Sequence, residues 1–226
     1  MNVNLHKMKG VQVGGLVNVA LGKMEGVQVA GILNVAGKSK NGWQIGLFNY
    51  ADSSRSLKQI GLVNFVRRGG YKNMELSTNE MLFTDFTLRS GTPYFYTLAR
   101  IGIKYYPERP FWHYGYGVGV RIAQWRTWES NTEWLAYHLI RSLGKDKNIR
   151  VFENFGGRYQ LYLTKYMGKR LAISLAGALD LQSLHREGID YEQAKSLSNT
   201  LIFSRLSFQR DWRLSWGGTL GLRYRW

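Results

Sequence analysis

The chain has 226 residues and a formal net charge of +16, from 31 basic against 15 acidic residues, and it contains no cysteine. Disulfide frameworks and thiolate metal sites are therefore excluded, and no apolar run reaches the ~18 residues that a membrane-spanning helix requires. A charge this large points to an anionic partner, whether lipid surface, solute or nucleic acid.

Four similar units occupy residues 10–67: GVQVGGLVNVA from Gly10, GVQVAGILNVA from Gly26, GWQIGLFNYA from Gly42 and KQIGLVNFV from Lys58. His6, Lys7 and Lys9 ahead of the first apolar stretch imitate an export signal, but the stretch recurs at once and so marks structure. The chain is read as a mature form whose export signal, if it had one, is missing. A spacing of about 16 residues suits one strand plus one turn, and GKME, GKSKN, DSSRSL and RRGGYKN supply turn chemistry between units. Gln12 and Asn18 share one face of the first unit, as do Gln28 and Asn34 in the second. Gln44 and Asn49, and Gln59 and Asn64, are one residue closer. On a continuous strand that change flips the face and calls for a bulge or register shift.

After residue 80 the two-residue alternation lengthens. Residues 94–106 set Phe95, Thr97, Ala99, Ile101 and Ile103 opposite Tyr96, Arg100 and Lys104. Residues 151–163 set Phe155, Tyr159, Leu161 and Leu163 opposite Arg158 and Gln160. Residues 170–182 set Leu171, Ile173, Leu175, Leu179 and Leu181 opposite Arg170, Ser174, Asp180 and Gln182. The final stretch sets Trp212, Leu214, Trp216, Leu220, Leu222, Tyr224 and Trp226 opposite Arg213, Ser215, Thr219, Arg223 and Arg225. Aromatic residues gather near strand ends, as girdles do at lipid–water interfaces. Long apolar faces would leave an aggregation-prone edge unless the sheet closed on itself.

The expected fold is all-β: a single antiparallel up-and-down transmembrane β-barrel over 1–226, with repeat strands at 10–67 and a long-strand meander at 80–226. About twelve strands are expected, near 10–20, 26–36, 42–51, 58–67, 80–90, 94–106, 112–127, 133–143, 150–165, 170–182, 198–208 and 212–226. The alternative is an eight-stranded barrel with the repeats stacked as a short solenoid; variable turn lengths favour hairpins. SNTEWLAYHLIRSLG at 130–144 reads equally as a helix with a Ser130–Glu133 capping box. With both ends on one side, the tight turn at Arg210–Asp211 falls opposite the longer 184–197 connection, the reverse of usual barrels.

The ending TLGLRYRW resembles the C-terminal signature of Gram-negative outer-membrane barrels, carried by Thr219, Gly221, Tyr224 and Trp226. The resemblance implies recognition by the barrel-assembly machinery and closure by the last strand. The repeat units resemble the surface repeat of Gram-negative outer-membrane proteins, with Gln12, Asn18, Gln28, Asn34, Gln44, Asn49, Gln59 and Asn64 as the recurring positions. That family implies no defined activity.

No Walker loop, dinucleotide fingerprint or HExxH motif occurs. Neither a cofactor nor a metal site is expected, because His6, His113, His138 and His185 lack ligand spacing; His113 is assigned to the membrane interface. Ser183, His185 and Glu187 share one loop, a poor basis for a hydrolase triad. Aromatic and basic residues fall mostly on opposite faces, unlike a base-stacking platform, so nucleic acid is not expected. The lumen-facing basic set is Arg100, Lys104, Arg121, Arg158, Arg170, Arg205, Arg213, Arg223 and Arg225, with Asp85 and Asp180 as the evident counter-charges. Such a set either fills a narrow lumen or forms an anion-attracting ring. Arg67, Arg68, Lys145 and Lys147 are candidates for lipopolysaccharide phosphates. The leading reading is a non-enzymatic outer-membrane barrel of a Gram-negative envelope, contacting membrane lipid, lipopolysaccharide and an envelope protein partner. An anion-preferring pore is the alternative, and a lipid-modifying enzyme the third.

Overall fold

The computed structural model describes residues 1–54, 56–79, 84–104, 111–141, 154–185, 200–207 and 210–226. Strands fall into two sheets, and no helix occurs among the described residues.

The repeats make the first sheet. It comprises β1 (Asn2–Asn4), β2 (Met8–Gly14), β3 (Val17–Ala30), β4 (Leu33–Ile45), β5 (Phe48–Ser53), β6 (Leu57–Ile60) and β7 (Val63–Arg68). All their pairings are parallel and place each residue on its counterpart one unit later. Gln12 lies on Gln28, Gln28 on Gln44 and Gln44 on Gln59. Asn18 lies on Asn34, then Asn49, then Asn64. The chain thus winds as a two-armed β-solenoid, one unit per coil. A Gln arm and an Asn arm meet at narrow tips, Gly15–Leu16, Gly31–Ile32, Gly46–Leu47 and Gly61–Leu62. This overturns the hairpin reading, since hairpins would run neighbouring units in opposite directions. The shorter Gln–Asn spacing of the later units needs no bulge. The tip separates the two amides, so the missing residue only tightens the tip, and all four later amides stay buried. Tips stack so closely that a Cβ on Gly61 would lie 1.9 Å from the Gly46 carbonyl oxygen, which is why the repeat keeps glycine there.

The second sheet closes into an eight-stranded antiparallel barrel. Its staves are β8 (Tyr71–Asn79), β9 (Thr84–Thr92), β10 (Phe95–Lys104), β11 (Phe111–Trp125), β12 (Trp128–Arg141), β13 (Asn154–Tyr166) and β14 (Leu171–His185). After β15 (Thr200–Ser207), β16 (Arg210–Arg225) completes the ring. It pairs with β14 along one edge and with β8 along the other. β15 shares the β8 edge but farther along, opposite residues of β16 from Arg210 to Ser215. Twelve staves are therefore replaced by eight plus the solenoid, and the barrel begins at Tyr71 instead of 80. Residues 130–141 belong to strand β12, not a helix, and 142–144 lie outside the described residues.

Three tight turns, at 93–94, 126–127 and 167–170, lie at one end of the barrel, together with Tyr71 and Trp226. The connections spanning 80–83, 105–110, 142–153 and 186–209 all leave from the other end. The expectation that Arg210 and the start of the 184–197 connection lie on opposite sides fails: His185 pairs with Arg210 at one end, and β15 does not cross the barrel as a stave.

Outward positions are mostly apolar, from Leu76, Phe86 and Ile101 to Leu163, Leu175 and Leu222. On β14 the apolar outer row runs from Leu171 to Leu181, about 33 Å along the strand and about 25 Å along the axis at a ~40° tilt. Tyr94, Trp125, Trp128 and Trp226 are exposed at the tight-turn end, and Trp112, Tyr114 and Trp216 toward the other. There the rings of Tyr114, His138, Phe155 and Trp212 follow one another at centroid separations of 5.8, 6.4 and 5.6 Å.

Candidate functional site

Strand parity sends alternate side chains of the staves into the lumen, and most of those side chains are polar, with Leu98 and Leu135 among the exceptions. The centre is a cross-lumen charge network. Arg89 on β9 donates to Glu133 on β12 through Nε at 2.6 Å and Nη2 at 3.0 Å, and to Glu75 on β8 at 3.2 Å. Arg223 on β16 holds Glu75 from the other side, Nε to Oε2 at 2.8 Å. Ser174 and Tyr96 hydroxyls complete the carboxylates, donating to Glu75 at 2.7 Å and to Glu133 at 2.7 Å. Both guanidinium groups lie 5.1 Å from the ring of Tyr162, a cation–π arrangement inside a desolvated core.

Two further layers flank it. Toward the tight-turn end, Glu129 accepts from Tyr71 at 2.5 Å and Arg225 at 3.2 Å, and forms an ion pair with Arg121 at 3.1 Å. Toward the other end, Asp180 accepts from Arg158 at 3.2 Å and from the Tyr137 hydroxyl. Beside it, His113 Nε2 sits 2.9 Å from Asp85, which also accepts from Asn79. The gap among Asn79, Arg100, His113, Tyr137, Leu139, Arg158 and Asp180 has a volume of about 10 Å3, at or below the room one water needs. Lumen glycines make this filling possible. A Cβ on Gly119 would lie 2.4 Å from the ring of Tyr96, so the glycine leaves room for that ring against the backbone of the neighbouring strand.

Of the expected lumen-facing basic residues, Arg100, Arg158, Arg213 and Arg223 are buried inside, and Arg121 and Arg225 reach Glu129 from the tight-turn end. Arg170 is not among them: it sits on the 167–170 turn, exposed, and donates to the Tyr224 hydroxyl at 3.2 Å. The side chains of Lys104, Arg205 and His185 lie outside the described residues, as do Glu187, Lys145 and Lys147. His113 is a lumen residue, not an interface residue, because β11 parity turns it inward. Sequence reasoning missed Arg89 and three of the counter-charges: Glu75, Glu129 and Glu133. Among the described residues no three His, Asp or Glu side chains gather as a metal site. In the C-terminal signature, Thr219 and Gly221 face inward and Tyr224 and Trp226 outward. Thr219 accepts from Gln160 at 2.9 Å.

A second constellation lies where the solenoid meets the barrel. Inside the coils the asparagines form a column, Nδ2 to Oδ1, from Asn18 to Asn34 at 3.1 Å, to Asn49 at 2.9 Å and to Asn64 at 2.8 Å. The glutamines donate the opposite way, Gln59 to Gln44 at 2.8 Å, then to Gln28 at 2.8 Å and Gln12 at 2.9 Å. The asparagine column ends on the barrel wall, where Asn64 donates to Thr97 Oγ1 at 2.6 Å. Thr92 donates to the Leu57 carbonyl at 2.9 Å, Ser90 to that of Asn64 and Tyr116 to that of Gly61. Four outward hydroxyls on an otherwise apolar wall thus cap the open end of the last coil.

Two features define the molecule's class: a closed antiparallel barrel with a filled polar lumen, and a parallel β-solenoid capped by its outer wall. No protein-family model and no curated protein sequence matches the chain.

Proposed function

We propose that the chain is an integral outer-membrane barrel of a Gram-negative envelope, serving as a structural or partner-binding component and not as a conduit. The observation that carries this reading is the inverted distribution of polarity. A closed cylinder buries ion pairs and exposes leucine, isoleucine and tryptophan around most of its circumference. In water that surface would far exceed the apolar patches of soluble monomers; in a bilayer it matches the solvent, and closure satisfies the backbone. Tight turns with both barrel ends at one rim, and the longer connections at the other, match the periplasmic and extracellular sides of such barrels. In that orientation Arg67 and Arg68 lie on the periplasmic side, away from lipopolysaccharide. The C-terminal resemblance supports recognition by the assembly machinery.

The cross-lumen pairing of Arg89, Arg223, Glu75 and Glu133 supports the non-conducting role over an anion pore. Membrane fractionation and gel migration before and after boiling test the proposal. The expected result is co-sedimentation with outer membrane and a heat-dependent shift in mobility. Monodisperse protein in detergent-free buffer would overturn it. Planar-bilayer recordings are expected to show no steady anion conductance.

A further inference from the structure

The solenoid repeats the barrel's inversion on a smaller scale. Its interior holds the Gln and Asn columns with a thin apolar filling of Met24, Ala36, Ala51, Leu57 and Val66. Its outside is apolar near the tip and charged at the opposite edge. The tip column Leu16, Ile32, Leu47 and Leu62 is 60, 43, 51 and 62% exposed. Below it, strand parity turns Val29, Ile45 and Ile60 outward on the Gln arm and Leu33, Phe48 and Val63 outward on the Asn arm. The far edge carries Lys7, Lys9, Lys23, Lys38, Arg67 and Arg68, only partly offset by Glu25 and Asp52. Each arm spans about five residues between tip and charged edge, or about 16 Å, close to half of a ~30 Å hydrocarbon core.

Orientation on the barrel matches this profile. Leu57, near the charged edge, meets Thr92 beside the 93–94 turn, whereas Gly61 at the tip meets Tyr116, partway up the wall among outward Leu88, Ile101 and Tyr114. We propose that the solenoid is a lateral wedge in the bilayer. Its tips and adjoining faces lie among the acyl chains of the leaflet nearest the tight-turn end, and its basic edge lies among that leaflet's headgroups. Lysines near the edge reach outward as interfacial cations do; Lys58, over the Trp43 ring at 4.6 Å, is placed for this. The embedded surface comprises the coils from Gly26 to Val66. β2 pairs on one side only and lies outside it, because unpaired backbone is costly in hydrocarbon.

The wedge rests on the barrel being membrane-embedded, so the test separates the two. The chain has no cysteine, which allows single probes at Ile32→Cys, Leu47→Cys and Leu62→Cys on the tips, Lys38→Cys on the basic edge and Leu175→Cys on the barrel. Each is labelled with an environment-sensitive fluorophore in vesicles whose lipids carry bromine either deep in the acyl chain or near the headgroup. Heat-dependent gel migration confirms that each variant is folded. The expected result is strong deep-bromine quenching at the tips and at position 175, with headgroup-level quenching at position 38. Quenching at 175 without quenching at the tips would overturn the wedge and leave the barrel reading standing. Tip probes shielded from lipid, with cross-links between copies at Leu47→Cys, would assign the face to a second copy and equally overturn it. No quenching at 175 would remove the membrane reading itself.

Discussion

Barrel and solenoid reach the same inverted polarity by different chemistry. The barrel lumen is wide enough for long side chains to meet across it, as Arg89 and Glu133 do, and it is filled by such charge pairs together with neighbouring-strand pairs such as Arg223–Glu75. The solenoid is too thin for that and is filled by amides, which serve as donor and acceptor at once and can therefore stack in register indefinitely. A charge network closes in three dimensions around one centre; an amide column is linear and needs an end. The Thr97 hydroxyl is that end.

The largest expected effect comes from breaking the network on one side only. Arg89→Met leaves Glu75 and Glu133 without their shared cation, and losses of about 3–5 kcal/mol accompany such half-removed buried pairs. Its heat-modifiable band is expected to melt well below that of wild type, with Arg89→Met/Glu133→Leu partly restored. Asn34→Ala sharpens the comparison by removing one rung. It abolishes the bonds to Asn18 and Asn49 and leaves the Ile45 carbonyl without its amide donor. A loss of about 2–3 kcal/mol is expected at roughly 1 kcal/mol or more per buried bond, read as faster proteolysis within residues 1–70 while the barrel stays protected.

Thr97→Val keeps the shape of the wall but removes the cap, with an expected cost of about 1 kcal/mol. Hydrogen exchange at the last coil is the measurement, with barrel amides unchanged. The smallest effect is a pH dependence confined to the solenoid edge. A hydrogen bond from Arg68, with the charge of Arg67 alongside, holds the Asp52 carboxyl below its usual range against desolvation, and Lys23 chiefly does the same for Glu25. A lowered folded-state pKa stabilises above the ordinary carboxylate range and loses that contribution as pH falls through the folded value. Edge amides are therefore expected to exchange faster only under acid conditions, with Asp52→Asn removing the part of the dependence near Arg67 and Arg68 and leaving the part set by Glu25.

Legibility followed how much each element's alternation differed between its faces. β14 and β16 place leucine or tryptophan against serine, aspartate or arginine, and their parity was readable. β8 was not: its outer row is Lys72, Met74, Leu76 and Thr78, too mixed to announce lipid contact, and so Glu75 was missed. Glu133 was obscured because 130–144 fits a helix as well as a strand, and Glu129 because it falls between the expected strands 112–127 and 133–143, whereas the parity of β12 turns both carboxylates inward. For the repeats, alternation alone is blind to strand direction. The deciding signal was the register itself, Gln over Gln and Asn over Asn at constant offset, which parallel stacking satisfies and reversed neighbours would not.

The hydroxyl-bearing wall stops the stack of coils on one side alone. Each coil otherwise rests only on its neighbour, so units could be inserted or deleted ahead of Gly26 without altering how the last one is seated. Length in this arm is thus a freely adjustable quantity, whereas the circumference of the cylinder beside it is locked by closure.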